Sequence, residues 1–286
     1  MKSLALLALV ALGTQNLYAK PIIAVMETAF GKRADATSIA DARALGYAGI
    51  QMHSGQPEGF GKGGVDPKSS LAIGQDPSLL EAWKTASETS GVKIVSLCAG
   101  SLNKCQIWDR DREAAMRIAR QTIDGCNALG VKVMLFPFFG PSRFQDSDEA
   151  LSGIAGFMKE LLPYAEEKGV TIGIEAPVTT VRVLELMKRC GMNAHLKVYY
   201  DTGNLFDLED IYETIAKYGK QHFCEIHIKA AGGAIAGEGK IDLKKLAAAL
   251  DRAGYEGPLV YEANRYGKEP EANKKAIDKL MALRGN

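Results

Sequence analysis

Two hydrophobic rhythms alternate along this chain from residue 22 onward. Short runs that are apolar at nearly every position read as β-strands: IIAVMET from Ile22, YAGIQMH from Tyr47, VKIVSLCAG from Val92 and VKVMLFPFFG from Val131. The second half adds VTIGIEAP from Val170, LKVYYDTGN from Leu196, FCEIHIKA from Phe223 and GPLVYEAN from Gly257. Near-continuous hydrophobicity is expected of parallel strands covered on both faces. Between them lie amphipathic stretches with helical spacing: Ala36–Leu45, Pro77–Ser90, Asp111–Leu129, Asp148–Lys168, Thr180–Cys190, Leu208–Tyr218, Leu243–Ala253 and Glu271–Arg284. Gly46, Gly91, Gly130, Gly169 and Gly254 each stand just past such a stretch. A left-handed residue there closes a helix and feeds a short loop into the next strand. Strict alternation of eight strands and eight helices predicts an α/β fold, a closed (β/α)₈ barrel forming a single domain over residues 20–286. No GxGxxG follows the first strand, which removes the main signal for a dinucleotide-binding open sheet. The longest connection, His53 to Asp76, is glycine-rich and follows the second strand. It reads either as a substrate lid or as an ornamental loop.

The first residues depart from this alternation. Lys2 supplies a short positive region, Leu4 to Leu12 an apolar one, and Leu17-Tyr18-Ala19 a cleavage site. The apolar run of about 9 residues is short of the about 20 that span a bilayer, so residues 1–19 are expected to be a secretory signal peptide. Export follows, to the periplasm if the source is bacterial, with no stable membrane anchor. No Cys follows the apolar run, which argues against a lipid-anchored form. Charge adds little direction: 35 Lys and Arg nearly cancel 34 Asp and Glu. That balance excludes a strong field for nucleic acid or an anionic membrane. The five cysteines cannot form a full disulfide framework, and no CxxC pair marks a thiolate metal site. Cys98 and Cys224 read as small core hydrophobes, while Cys105 has Cys98 or Cys126 as a partner if any pairing occurs.

Four of the apolar runs end in a residue able to hold a metal: Glu175 in TIGIE, Asp201 in KVYYD, His227 in CEIH and Glu262 in PLVYE. Successive members stand 26, 26 and 35 residues apart, about one strand-plus-helix unit for the first two steps and somewhat more for the last. A parallel barrel points the C-terminal ends of its strands at one mouth, so these four side chains converge. Three carboxylates and one imidazole form a mixed oxygen and nitrogen set suited to one divalent metal ion: Mn, Mg, Zn or Co.

The pieces IGIEAP, YYDTGN, EIHIKA followed by GEGKID, and GPLVYEAN fall in order at the ends of strands five to eight. In them the chain resembles the sugar phosphate isomerase/epimerase superfamily, the xylose isomerase-like TIM barrels that also include endonuclease IV. The resemblance implies a TIM barrel in which Glu175, Asp201, His227 and Glu262 ligate one divalent ion. It also implies that Glu175 and Glu262 exchange protons with a keto sugar through an enediolate. Two departures stand out. Asn204 replaces the His of many relatives, and Ala230 replaces the acidic residue of the HxKD run. No Arg follows in Ala231-Gly232-Gly233-Ala234, where some epimerases use one to contact substrate.

Other residues carry two readings each. Lys229, two positions beyond His227 and on its face of the strand, stabilises an enolate oxygen or forms a rim salt bridge. His53 acts as a base, binds a sugar hydroxyl, or is a hydrogen-bonded loop histidine. Asn204 is expected to bind a sugar hydroxyl, and Glu27 to reach substrate from the end of the first strand. Trp108 and Phe138–Phe139 stack on a sugar ring, or the phenylalanines pack in the core. His195 and His222 precede strands and belong to the opposite face. Three functions compete. The first is a metal-dependent isomerase or epimerase acting on an unphosphorylated keto sugar or related carbohydrate. The second is an exported lyase on 3-keto-glycosides, and the third a non-catalytic carbohydrate-binding barrel. Endonuclease activity would need three zinc ions and more than the four histidines present. The expected partner is a small carbohydrate, with no nucleic acid; a homo-oligomer is compatible with the sequence.

Overall fold

The computed structural model describes residues 21–55, 77–144, 147–263 and 269–284. Residues 1–19, where a signal peptide is expected, and positions 56–76 of the glycine-rich connection lie outside the described residues. Eight parallel strands close in sequence order into a barrel, with β1 pairing β8. They are β1 Ile23–Met26, β2 Gly49–His53, β3 Lys93–Cys98, β4 Val133–Pro137, β5 Thr171–Glu175, β6 Leu196–Asp201, β7 Phe223–Ile228 and β8 Leu259–Tyr261. Every one falls inside an apolar run read from the sequence. Around them, the described helices are α1 Thr37–Ala44, α2 Pro77–Ser90, α3 Arg112–Leu129, α4 Asp148–Glu167 and α5 Thr180–Arg189. They continue as a single-turn α6 Thr202–Leu205, then α7 Ile211–His222, α8 Leu243–Ala253 and α9 Pro270–Ala282.

Local chemistry sets most boundaries. The five glycines expected to close helices all have positive φ, from 60° to 77°. Ser147 caps α4 by accepting from the Ala150 N–H, and Asp242 caps α8 by accepting from Lys244 and Lys245. One helix starts later than its apolar spacing suggested. Asp210 accepts from the backbone N–H groups of Tyr212 and Glu213. This cap starts α7 at Ile211 rather than Leu208, and the helix runs on to His222.

Two cores result. The larger lies between strands and helices, and the smaller fills the bore with Ala24, Met26, Cys98, Leu135, Tyr199 and Val260. Because side chains alternate along a strand, the residue two positions behind each bore-facing mouth residue also faces inward. Gly173 in β5 leaves room for the Tyr199 side chain; a Cβ there would sit 3.1 Å from the Tyr199 ring atom Cδ2 and 2.7 Å from Cys224 Sγ. All five cysteines are free thiols, so no pairing involves Cys105. Among the described residues, no helix is long and apolar enough to cross a membrane.

Candidate active site

The strands β5 to β8 deliver Glu175, Asp201, His227 and Glu262 to one point at the barrel mouth. One ligand atom from each lies within 4.8 Å of all the others. The backbone places Asp201 directly beside His227 across the β6–β7 pair. His227 Nδ1 is 3.1 Å from Glu262 Oε2, 3.3 Å from Glu175 Oε1 and 3.7 Å from Asp201 Oδ2. Oxygen and nitrogen ligands about 2.0–2.2 Å from a divalent ion stand up to about 4.4 Å from one another. The set fits such an ion after a contraction of a few tenths of an ångström.

Asp201 is held by its own strand end. Its Oδ1 accepts from the N–H groups of Gly203 and Asn204, capping α6, while Asn204 Nδ2 donates to Oδ2 at 2.9 Å. Lys229 Nζ lies 2.9 Å from Glu262 Oε2 and 3.6 Å from Asp201 Oδ2, inside the ligand cluster rather than on the outer rim. Gly203 permits this, since a Cβ there would lie 3.0 Å from the Lys229 chain.

These groups shift one another. Burial raises the Glu175 carboxyl to about 7, against the opposing charge of His227. Burial would also raise Glu262, but the positive charges of His227 and Lys229 outweigh it and hold that carboxyl well below its usual range. For His227, burial is outweighed by Glu262 and Glu175, which raise the imidazole well above its ordinary value. Lys229 likewise resists burial through Asp201 and Glu262 and is raised. Without a metal ion, then, the protons of His227 and Lys229 balance the carboxylates. This is the electrostatic counterpart of a cation site.

Above the cluster opens a cavity of about 290 Å³. Glu175, Glu262, Lys229, Asn204 and His53 line it as expected, and so do Arg33, Asn103 and Phe139, which sequence reasoning missed as wall residues or left open. Phe138, by contrast, is buried between Phe136 and Phe144 in the core. Arg33 sits in the connection from β1 to α1, where no periodicity marks a direction. His195 and His222 lie where expected, just before β6 and β7. His195 Nδ1 is 2.9 Å from the carbonyl of Val170.

Two sequence expectations change. Glu27 does not line the cavity. It is fully buried, and its Oε1 accepts from the backbone N–H of His53 (2.6 Å) and of Ala34 (2.8 Å) and lies 3.0 Å from His53 Nδ1. Its Oε2 takes the Asp35 N–H, so Glu27 holds His53 and the loop after β1 instead of reaching a substrate. Trp108 does not line it either. The chain after β3 makes a 3₁₀ turn, Gly100–Lys104, that brings Gly100 and Asn103 to the mouth. Beyond that turn Trp108 packs over Gly153 of α4, beside a separate depression bordered by Gln106, Asp109 and Glu149.

A second layer beneath the ligands was also missed. Gln51, Ser96, Tyr199 and Glu225 are all buried and joined by hydrogen bonds. Burial raises the Glu225 carboxyl to about 7. The signal was present: each stands two positions behind His53, Cys98, Asp201 or His227, and so shares its face.

By sequence the chain has no match among curated proteins. Solved structures match its fold. The apo 3-keto-D-glucoside 4-epimerase of E. coli superposes with a TM-score of 0.70 at 15% identity, covering 92% of this chain and 100% of that one. A D-psicose 3-epimerase determined in the presence of D-fructose gives 0.72 at 14% identity, covering 92% and 99%. An L-ribulose 3-epimerase gives 0.70 at 16%, covering 92% and 95%. Identities this low establish the shared architecture alone. The family model described as xylose isomerase-like TIM barrel, however, matches residues 39–283. With the match running from α1 through α9 and the closed eight-stranded barrel that carries it, the chain belongs to the xylose isomerase-like TIM barrel family.

Proposed function

We propose that this protein is a divalent-metal-dependent isomerase or epimerase acting on an unphosphorylated keto sugar, exported after removal of about 19 residues. The observation that carries the reading is the convergence of Glu175, Asp201, His227 and Glu262 beneath a sugar-sized cavity. When bound, a divalent ion would supply positive charge beside a substrate carbonyl and so acidify the neighbouring C–H bond. The protein groups do the rest. Glu262, held as a carboxylate by Lys229 and His227, is suited to accept that proton. Glu175, whose carboxyl is raised to about 7, is suited to return one to the other face. One carboxyl group gains a proton as the other loses it, so the chemistry balances without a further reactant. Lys229 donates toward the oxygen that gains charge, and Asn204 and Arg33 offer hydrogen bonds to sugar hydroxyls.

His53 supports a second reading. Glu27 takes one side of its ring, leaving the other edge beside Gly100 at the cavity wall. An acid there would let the same proton removal end in loss of a glycosidic oxygen, the lyase reaction on a 3-keto-glycoside. Metal-loaded protein incubated in D₂O with ketoses and 3-keto-glycosides tests both. Deuterium should enter the carbon beside the carbonyl, and NMR of the product separates a stereoisomer from an unsaturated sugar with released aglycone. Glu175→Gln and Glu262→Gln should each lower turnover by about 10²–10⁴-fold. Full activity in both variants would refute the proton-transfer roles.

A further inference from the structure

We infer that Gln51 and Glu225, which touch neither the cavity nor the ligand oxygens, determine which nitrogen of His227 faces the metal. The inference rests on the metal site proposed above. It follows from counting hydrogens in the layer beneath that site. Ser96 Oγ donates to Glu225 Oε2 at 2.7 Å, and the Tyr199 hydroxyl donates to the same oxygen at 2.8 Å. Each hydroxyl has one hydrogen, so both oxygens can only accept from their remaining neighbour. That neighbour is the Gln51 amide, whose Nε2 donates to Ser96 Oγ at 2.9 Å and to the Tyr199 oxygen at 2.8 Å. Both amide hydrogens are then spent, and Gln51 Oε1 is turned toward His227 Nε2 at 3.0 Å. An amide oxygen cannot donate, so the ring hydrogen must sit on Nε2. The lone pair of the neutral imidazole then belongs to Nδ1, the nitrogen that faces Glu262, Glu175 and Asp201.

Reversing the amide would set its oxygen against two hydroxyls with no hydrogen left to give, and its NH₂ against a ring nitrogen. The polarity of the chain therefore begins at Glu225, two positions behind His227 on β7, and passes through four fully buried side chains. Tyr199 serves twice, since its ring also packs edge-on against His227 with centroids 4.5 Å apart. Gln51 and Glu225 are positioning residues: they act through His227 and never meet substrate.

The test uses zinc as probe and [¹⁵N]histidine-labelled full-length protein. In the wild type, ¹⁵N NMR should show the His227 signal with a metal-bound Nδ1 and a protonated Nε2. Gln51→Met, similar in size but without the amide, should weaken zinc affinity about 10–100-fold and disturb that signature, as loss of a partner behind a metal ligand typically does. Tyr199→Phe leaves Ser96 to orient the amide and should cost less, with the Nδ1 signature kept. That milder variant keeps the test decisive if Gln51→Met fails to fold, which circular dichroism of the metal-free proteins would reveal. Zinc bound through Nε2, or affinity unchanged in a folded Gln51→Met, would overturn this inference while leaving the metal site standing. A wild type that binds no zinc, manganese or cobalt would overturn the metal site itself, and this inference with it.

Discussion

The Lys229 ammonium lies among the same carboxylates that would hold a cation, so in the proposed role it would compete with the ion electrostatically while donating to a substrate oxygen. A unit charge about 4 Å from another is worth about 4 kcal/mol at an effective dielectric of about 20. Lys229→Met should therefore bind manganese or zinc about tenfold tighter or more, yet turn over about 10²-fold more slowly for want of a donor at the charged oxygen. Titration calorimetry beside an activity assay checks both signs; weaker metal binding would contradict the argument. At this scale the ligands were legible in the sequence because each ends an apolar run. The part of Glu27 was not. A carboxylate at a strand end looks alike whether it faces a cavity or turns back on a neighbouring strand, and only the contact with His53 distinguishes them.

Helix α4 puts packing and intrinsic propensity in opposition. Gly153 and Gly156 stand three residues apart on it. A Cβ on Gly153 would meet the Trp108 Cβ at 2.3 Å, whereas Gly156 is exposed with nothing within 4 Å. Replacing a helical Gly by Ala gains about 0.8–1 kcal/mol where space is open. Forcing atoms into a packed contact costs about 1–3 kcal/mol. Gly156→Ala should therefore stabilise the protein and Gly153→Ala destabilise it, as urea unfolding midpoints would show; equal shifts would refute the assigned contact. Losing the Ser147 cap, in Ser147→Ala, should cost about 1 kcal/mol, read the same way. Helix and strand identities were readable from hydrophobic period, and five helix ends from their glycines. The start of α7 was not, because apolar spacing carries on across Leu208 while the Asp210 side chain decides where the backbone turns.

For the whole molecule, metal binding and stability are linked through the protons of the site. In the metal-free fold, His227 is raised above its ordinary value and Glu175 is raised to about 7. Both therefore favour the protonated folded state. The His227 contribution is fully present below about 6.5 and is lost as pH rises through its folded value; that of Glu175 fades between about 4.5 and 7. An ion takes the Nδ1 lone pair of His227, so its uptake displaces that proton and tightens as pH rises. The metal-induced rise in melting temperature should accordingly widen from pH 6 to pH 8, reaching several degrees at a hundredfold excess over Kd. Scanning calorimetry with and without zinc or manganese measures it; a shift that narrows with pH would contradict the coupling. N-terminal sequencing of protein from its native host tests the leader: a chain beginning at Met1 would rule out cleavage.

The sequence alone determined the barrel and the convergence of the four candidate ligands. Hydrophobic period, helix-closing glycines and the ends of parallel strands are local features, and closure of the barrel turns spacing along the chain into proximity at one mouth. Tertiary structure alone decided what surrounds those ligands. It carried Trp108 away onto α4, turned Glu27 back toward His53, brought Arg33 to the cavity and joined Gln51, Ser96, Tyr199 and Glu225 beneath His227. A polar side chain in a barrel acquires its role from the residues facing it across the bore. Those partners come from strands as far apart as β2 and β7; the period of two turns each residue inward, but no local pattern says which of them meet.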